Sequence, residues 1–291
     1  MRYQIKNADM QADILSFGAQ LCSLKSADGT EYLWQGDAKY WKDMAPNLFP
    51  YIARMTEKSY TVYGKKYEMD IHGFAKDTEF QVEQKAENHI VFSMSDSEGT
   101  KKQYPFSFLF TIEYRLEENR LQVTYGVKNN DDKTMYFGVG GHPGFQVPLE
   151  EGQQFTDYYL EFDTEDVAER VGFSEDCFVT GENQIYPLEA GKRIRLRHDL
   201  FDDDAIILTK MSKGITLASD KGEKSIRVTY PDMPYLGLWH MPKTDAPYIC
   251  IEPWSSLPSR KGVVEDLATQ PGLISLEPNT EYKNQFVIEI Q

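Results

Sequence analysis

A histidine set between glycines and a Pro-Gly pair is the first candidate for chemistry in this sequence. His142 lies in the segment GGHPGF at residues 140–145, where glycine and proline prevent a regular strand ladder from continuing. The backbone there is rigid and closely approachable, and an imidazole has an unperturbed pKa of about 6.5, which suits proton transfer. His142 is therefore a candidate for acid–base catalysis, and the alternative is a histidine that only hydrogen-bonds within a turn.

A glutamate at a predicted strand end is the second candidate. Glu252 follows the apolar residues 248–251 and precedes Pro253, which cannot donate to a central strand ladder. The carboxylate is expected at a strand end beside Trp254, where aromatic neighbours desolvate it and raise its pKa towards that of a usable base. The alternative is a solvated strand-end glutamate, which is the more common case because glutamate is mostly exposed.

Two further residues have the chemistry to bind a polar ligand. His72 lies beside Gly73 and predicts either a ligand contact or a packed turn histidine. Arg54 closes the apolar run at residues 48–53, and its guanidinium can donate a forked pair of hydrogen bonds to hydroxyl groups. The alternative for Arg54 is a partnership with a buried carboxylate.

Acidic and aromatic residues supply the remaining candidates. Residues 202–204 are three aspartates before an apolar segment, and such a run is usually a solvated loop, although one of them can bind a ligand. Three tryptophans are compatible both with stacking on a sugar and with the core, namely Trp41, Trp239 and Trp254. His89 and His198 lie in polar surroundings and indicate no role, and His240 is ambiguous.

Alternation of apolar and polar residues with period two predicts the elements that position these side chains. Residues 108–114 and 121–127 alternate on either side of a polar turn at residues 117–120, which predicts a β-hairpin. Similar segments bounded by Gly, Pro, Asn or Asp recur at residues 60–64, 65–69, 158–162, 193–200, 205–210, 214–219, 225–230, 235–240, 248–252 and 285–290. Helical periodicity is weak, with short candidates only at residues 38–44 and 263–268. The chain is therefore predicted to be all-β, an antiparallel β-sandwich of many strands.

Composition excludes several classes of protein. No linker, repeat or shift in composition divides residues 1–291, so one domain is predicted. The formal net charge of -15 repels nucleic acid and anionic membranes, and no apolar run is long enough for a signal peptide or a membrane span. The 3 cysteines lack zinc-site spacing and indicate reduced thiols in a cytoplasmic protein.

Taken together, the segments resemble one family across essentially the whole chain. The order that carries the resemblance is Asn47 and Arg54, HGF at His72, GGHPGF at His142, an aspartate before an apolar strand, and CIEPW at Glu252. It is similar to that of the aldose 1-epimerase (galactose mutarotase) superfamily, and most similar to its bacterial LacX-like branch. The resemblance implies a large antiparallel β-sandwich, no metal, no organic cofactor, and a wide cleft that binds a free or phosphorylated hexose.

The same resemblance implies roles for individual residues. The histidine of the GHP motif corresponds to a general acid, His142, and the late glutamate corresponds to a general base, Glu252. The predicted sugar-binding residues, which include a tryptophan candidate for stacking, are Arg54, His72, Asp204, Asp203, Asn47 and Trp239. Among the aspartates we prefer Asp204 and keep Asp203 as the second choice, because the local register is uncertain. The expected protein is a cytoplasmic mutarotase, monomer or homodimer, that interconverts the anomers of a hexose.

Three other functions remain open at this point. A hexose-6-phosphate 1-epimerase would use the same pair, but Lys76 follows HGFA where that branch commonly has arginine. A noncatalytic sugar-binding protein would bind in a similar cleft without turnover. A glycoside hydrolase would need two carboxylates flanking one bond, and Glu252 alone looks suitably placed. The net charge of -15 favours a neutral hexose over its 6-phosphate.

Overall fold

The structure, a computed structural model that describes residues 1–165 and 167–291, consists mainly of antiparallel strands. The strands are, in chain order, β1 Arg2–Lys6, β2 Met10–Leu15, β3 Leu21–Ser26, β4 Asn47–Leu48, β5 Ser59–Val62, β6 Lys65–Glu68, β7 Gln81–Lys85, β8 His89–Ser95, β9 Phe108–Glu117, β10 Arg120–Asn129, β11 Met135–Phe137, β12 Gly140–Gly141, β13 Gly144–Gln146, β14 Tyr158–Phe162, β15 Glu169–Arg170, β16 Gln184–Ile185, β17 Arg193–Arg195, β18 Ile206–Thr209, β19 Gly214–Ser219, β20 Ile226–Thr229, β21 Tyr235–Trp239, β22 Tyr248–Trp254, β23 Ile274–Leu276 and β24 Glu281–Ile290.

Helices are few and short. Within the described residues one α-helix forms, α1 at Glu98–Gln103, and a reciprocal pair of hydrogen bonds between Ser97 and Thr100 caps its start. The 3₁₀ turns are Thr56–Lys58, Ala75–Asp77, Phe155–Asp157 and His198–Phe201. None of the described helices is long and apolar enough to cross a membrane.

Two large sheets form a β-sandwich, which confirms the predicted all-β class. The nine-stranded sheet has the order β17-β14-β19-β20-β24-β10-β9-β8-β7. The eight-stranded sheet has the order β16-β15-β18-β21-β22-β12-β4, and β13 also pairs with β22. The predicted hairpin is present, with Glu117 of β9 paired to Arg120 of β10. Strands also form in each of the other segments where alternation predicted one.

The two large sheets pack on each other through buried aromatic rings. Phe49, which follows β4, stacks on Phe110 of β9 with ring centroids 4.3 Å apart. The hydroxyl of Tyr125 in β10 donates to Oδ1 of Asn47 in β4 at 2.9 Å. Burial alternates along β9 and β10, as expected for strands with one face on a core. The main core therefore lies between the sheets, and the eight-stranded sheet has a second face that points away from it.

The two short helices proposed from the sequence are wrong. Residues 38–44 form turns and bends, and residues 263–268 form turns and irregular chain. In the first segment the Trp34 indole donates to the carbonyl oxygen of Trp41 at 2.8 Å, so that carbonyl is used outside any helix. In the second, the backbone N–H of Leu267 donates to the carbonyl oxygen of Thr61 at 2.9 Å. Tertiary contacts override a weak local helical pattern in both places.

Candidate active site

A large cleft opens on the face of the eight-stranded sheet that points away from the core. A side chain at Gly141 would place its Cβ 2.9 Å from the Phe286 ring of β24, so residue 141 faces the core. Because successive residues of an extended chain point to opposite faces, His142 points the other way, into the cleft. The cavity measures about 1200 Å³, somewhat above the roughly 300–1,000 Å³ usual for small-molecule sites. The cavity is therefore large enough to hold a ligand of the size of a sugar.

His142, which lies between β12 and β13, faces Glu252 of β22 at the floor of this cleft. Gly144 pairs with Cys250 of β22, so His142, two residues earlier, stands opposite Glu252, two residues later. Nε2 of His142 lies 3.2 Å from Oε2 of Glu252, and the two side chains are 12% and 1% exposed. The sheet therefore brings the predicted acid and base together.

Glycine is required beside this histidine because the strands approach closely. A Cβ at Gly140 would lie 2.7 Å from the carbonyl oxygen of Pro253, a separation that real Cβ atoms do not tolerate. The backbone N–H of His142 donates to the carbonyl of Pro46 at 3.0 Å, which holds the other side of the segment. The imidazole is thus held by backbone on both sides rather than by a mobile loop.

Burial controls the electrostatics of the pair. It raises the pKa of Glu252 well above its usual value, the negative charge of Asp204 raises that pKa further, and the Trp254 indole opposes both. Burial lowers the pKa of His142 to about 4, although a backbone hydrogen bond and the negative charge of Asp204 act in the opposite direction. Both shifts favour the neutral forms, so the pair retains one proton between its two members over a wide range of pH.

Two polar atoms of the pair are buried without a hydrogen-bond partner among the described residues. The contact between the two side chains lacks hydrogen-bond geometry, and Oε2 of Glu252 and Nδ1 of His142 are buried without a hydrogen bond to any described residue. Buried polar atoms are nearly always hydrogen-bonded in native proteins, and an unpaired one costs free energy. Both residues line the cleft, so a ligand that reached these atoms would satisfy them.

His72 presents a hydrogen-bond donor beside this pair. Its Nδ1 accepts the backbone N–H of Ala53 at 3.1 Å, which leaves the proton of the neutral ring on Nε2. Burial is the largest cause that holds the pKa of His72 well below its usual value. The ring lies edge-on to His142 with centroids 5.6 Å apart. Gly73 is required next to it, because φ is +70° and a Cβ would lie 2.3 Å from the carbonyl oxygen of Phe49.

Arg54 and Asp204 meet on one wall of the cleft. Nη2 of Arg54 lies 4.0 Å from Oδ2 of Asp204, and the side chains are 47% and 35% exposed. The thiol of Cys177 donates to the same Oδ2 at 3.0 Å. Asp202 and Asp203 also line the cleft but are more exposed. Of the three aspartates, Asp204 is the one held in place by neighbouring side chains.

Tryptophan rings surround His142. The ring of Trp41 lies 4.9 Å from the imidazole at 32°, and the ring of Trp239 lies 5.7 Å away and nearly perpendicular. Both line the cleft, as does Trp254, which is otherwise buried. The predicted position of Trp239 at the cleft is compatible with stacking on the apolar face of a sugar.

Asn47 does not reach the cleft. It pairs with Gly141 across the sheet and so faces the core, as that glycine does. Its amide nitrogen donates to the hydroxyl of Tyr114 at 3.1 Å and to two backbone carbonyls, while its oxygen accepts from Tyr125. The structure corrects the prediction of a sugar contact for Asn47, because its hydrogen-bonding capacity is used between the sheets.

Several residues that form the far wall could not be predicted from the sequence. This wall is a hairpin built from β15 and β16, and its cleft-lining members include Arg170, Thr180, Glu182 and Gln184. Isolated polar residues around Gly and Asn are typical of any solvated loop, so no motif distinguishes them. Their positions follow only from the way the hairpin joins the edge of the eight-stranded sheet.

Two other histidines lie outside this cleft. Nδ1 of His198 is 3.2 Å from Nε2 of His240, whose own Nδ1 contacts the carbonyl of Met241 at 2.8 Å. His240 is fully buried, and burial lowers its pKa to about 4. Its contacts are those of a packed structural histidine, which resolves the ambiguity left by the sequence.

Known proteins resemble this chain in both sequence and architecture. A profile of the family described as Aldose 1-epimerase matches residues 1–289. The chain is 32% identical over 299 residues to the plasmid-borne Protein LacX of Lactococcus lactis subsp. lactis, covering 100% of this chain and 99% of the relative.

Solved structures agree with that match. A galactose mutarotase related enzyme from Lactobacillus acidophilus has a TM-score of 0.95 and 35% identity, covering 100% of this chain and 97% of its own. A galactose mutarotase-like protein from Lactobacillus casei has a TM-score of 0.95 and 34% identity, with 100% of both chains covered.

Proposed function

The chain belongs to the aldose 1-epimerase family, and from this premise we propose that it interconverts the α and β anomers of a hexose. The observation that carries the proposal is the pairing of His142 with Glu252, whose reactive atoms lie 3.2 Å apart at the floor of the cleft. The exchange needs one proton donor and one proton acceptor at the same anomeric carbon. An imidazole and a carboxylate at this separation supply both.

The reaction opens and closes the pyranose ring. Glu252 takes the proton of the C1 hydroxyl while His142 gives a proton to the ring oxygen, so the C1–O5 bond breaks and C1 becomes an aldehyde carbon. Rotation about C1–C2 presents the other face of the aldehyde. The C5 hydroxyl then attacks it, returns its proton to His142, and Glu252 returns its proton to O1. No atoms or electrons are gained or lost, so the proposed exchange needs no cofactor.

The shared proton supports this assignment. Burial favours the neutral pair, with the proton on Glu252, and this pair starts ring closure. Ring opening starts from the charged pair, so the proton first passes from Glu252 to His142 across their 3.2 Å separation. O1 and O5 are bonded to the same carbon, so two groups a few ångströms apart can reach both together. Positioned proton transfer of this kind contributes about 10²–10⁴-fold to the rate for each group.

The walls of the cleft supply the proposed sugar contacts. We assign His72 as a donor through Nε2–H, and Arg54 with Asp204 as a donor and acceptor pair for ring hydroxyls. Asp203 lies at the rim and remains the second choice. Trp239 is assigned to stacking on the apolar face of the ring, because its indole lines the cleft beside the acid.

A hexose-6-phosphate epimerase is the second candidate, and cationic side chains favour it. The cleft is lined by four such residues, which are Arg54, Lys76, Arg170 and Lys243. Two of them have acidic neighbours, since Arg54 lies near Asp204 and Lys76 pairs with Asp77. Because this offsets part of their charge and the chain carries -15 overall, we favour a neutral hexose.

Other aspects of the proposal concern the setting of the enzyme. We propose one domain over residues 1–291 that works in the cytoplasm as a monomer or homodimer. Acidic charge makes nucleic acid and anionic membranes poor partners. The partner required by the chemistry is a small-molecule hexose.

Polarimetry on freshly dissolved sugars tests the proposal. Purified protein is added to α-glucose, α-galactose and α-glucose 6-phosphate, and the approach to anomeric equilibrium is compared with the uncatalysed rate. Faster equilibration of a free hexose supports the mutarotase. Much higher kcat/KM for the 6-phosphate selects the second candidate. Sugar binding by calorimetry without acceleration of any of the three would make the protein a noncatalytic sugar binder.

A further inference from the structure

A cysteine that the proton exchange does not use lies beside the catalytic pair. In β22 Cys250 and Glu252 are two residues apart and therefore point to the same face of the sheet. His142 stands opposite them on the neighbouring segment. One ligand atom from each of the three residues lies within 4.8 Å of the other two. A thiol, an imidazole and a carboxylate are thus close enough together to be considered as one ligand set.

These three atoms form a donor set that fits one class of ion. Zn²⁺ binds sulfur, nitrogen and carboxylate oxygen at about 2.0–2.3 Å, and catalytic zinc sites have three protein ligands with a fourth position open. Tetrahedral geometry at these bond lengths separates ligand atoms by about 3.3–3.8 Å. The separation of 3.2 Å between His142 and Glu252 is close to this range. A small side-chain movement of Cys250 is sufficient to complete it.

An unpaired oxygen at the floor points to a missing ligand. Oε2 of Glu252 is buried without a hydrogen bond to the residues that the structure describes, and it is the oxygen that lies 3.2 Å from Nε2 of His142. A dication held by one carboxylate, one thiolate and a neutral imidazole has no net charge, which removes most of the cost of burying ions. Because the Glu252 side chain is only 1% exposed, a complex without net charge is much easier to bury there than a charged one.

We propose that His142, Cys250 and Glu252 bind a divalent cation of the zinc class, and that this ion inhibits the enzyme by competing with the sugar. On binding, the thiol proton of Cys250 and the proton shared by the catalytic pair leave to the solvent, and no redox change occurs. The ion occupies both groups that would otherwise transfer protons. Inhibition rests on the proposed function, whereas binding of the ion does not.

Titration of the full-length protein with Co²⁺ or Cd²⁺ tests binding directly, because thiolate coordination gives a charge-transfer absorption band. We expect a band that saturates at one equivalent and that disappears in Cys250→Ser. Loss of a ligand is expected to weaken metal affinity by more than the roughly 10–100-fold seen for outer partners. Cys250→Ala serves as a second variant if the first does not fold by circular dichroism.

Cys177→Ser is the matched control. Its thiol lies beside another carboxylate of the same cleft, 3.0 Å from Oδ2 of Asp204, but outside the three-residue cluster. This variant should keep the band. A band that persists in Cys250→Ser, or that disappears in Cys177→Ser instead, would overturn the proposed ligand set, as would the absence of any band with wild-type protein.

Polarimetry with Zn²⁺ completes the test. We expect KM for the sugar to rise with Zn²⁺ at unchanged kcat, and EDTA to reverse the effect. In Cys250→Ser the same Zn²⁺ concentration should inhibit at least about tenfold less, relative to the metal-free rate of that variant. A wild-type protein that shows the band but no anomerisation of any sugar would refute the mutarotase while leaving the metal site intact. An active enzyme insensitive to Zn²⁺ would refute the inhibitory role alone.

Discussion

Replacement of Glu252 by Gln separates the chemistry of this carboxyl from its place in the fold. Glutamine keeps the size of the side chain and most of its hydrogen-bonding ability, but it cannot accept a proton from the C1 hydroxyl. The side chain is 1% exposed, so water cannot readily replace it as the base. We therefore expect sugar binding to survive while turnover falls.

The size of the effect follows from the environment of the group. Loss of one positioned acid–base group typically costs about 10²–10⁴-fold, or roughly 2.7–5.5 kcal/mol in the activation barrier. Folding raises the pKa of Glu252, and a carboxyl with a raised pKa destabilises the native state at pH values above its unfolded value. A neutral amide removes that cost. The melting temperature of the variant should therefore equal or exceed that of the wild type.

Glu265→Gln is the matched control, because Glu265 is also buried, at 1% exposure, but lies outside the cleft. Its carboxylate accepts from the Arg260 guanidinium at 2.8 and 2.9 Å, and that pairing counteracts burial and lowers the pKa of Glu265. The control should lose melting temperature and keep kcat. Glu252→Gln should show the reverse pattern.

Polarimetry on α-galactose measures kcat, calorimetry measures sugar affinity, and differential scanning calorimetry measures stability. A Glu252→Gln enzyme with a rate near wild type would refute the reasoning and identify Glu252 as a structural carboxylate. The search for a base would then move to residues 202–204, which also line the cleft.

Three further predictions test other parts of the structure. His142→Asn should lower kcat about 10²-fold. The double variant with Glu252→Gln should be little worse than the poorer single variant, because both groups act in one proton exchange. Additive losses of kcat, measured by polarimetry, would contradict this. Gly73→Ala should lower the melting temperature by roughly 5–10 °C, because the residue has φ +70° and meets a carbonyl oxygen. Gly64→Ala, with φ +74° but nothing within 4 Å, should cost less; equal losses would remove the clash argument. Burial lowers the pKa of His240 to about 4. Between pH 6.5 and pH 4 the unfolded chain therefore binds a proton at this residue that the native state does not. The free energy of unfolding should fall by up to about 1.4 kcal/mol for each pH unit in this range. In His240→Gln this part of the acid destabilisation should vanish; parallel melting curves across pH would contradict the assignment.

The strands could be predicted because their signal is local. In β9 and β10 each apolar residue of the alternating pattern is buried, so the sequence directly records which face meets the core. The short helices failed for the opposite reason. At residues 38–44 the pattern is brief, and a single contact such as the Trp34 indole on the Trp41 carbonyl is enough to impose a different conformation.

The site could be predicted only in part from its residues. Glycine and proline marked the segments of His142 and Glu252 as strand ends, but the pairing that sets them opposite each other joins residues 110 positions apart, and only the family resemblance indicated it. Asn47 shows the limit of that resemblance. Its motif was found, yet whether it faced the cleft depended on its register with Gly141, which no local pattern records.

The separation of the cleft into a floor and walls has a consequence for the evolution of such enzymes. The acid and base stand on paired segments of one sheet, where backbone hydrogen bonds maintain their separation, whereas Arg54, Asp204 and residues 171–183 stand on connections between strands. Insertions and substitutions in connections leave strand pairing intact. A duplicated copy can therefore acquire a new sugar preference by altering its walls while it inherits an unchanged proton-transfer apparatus.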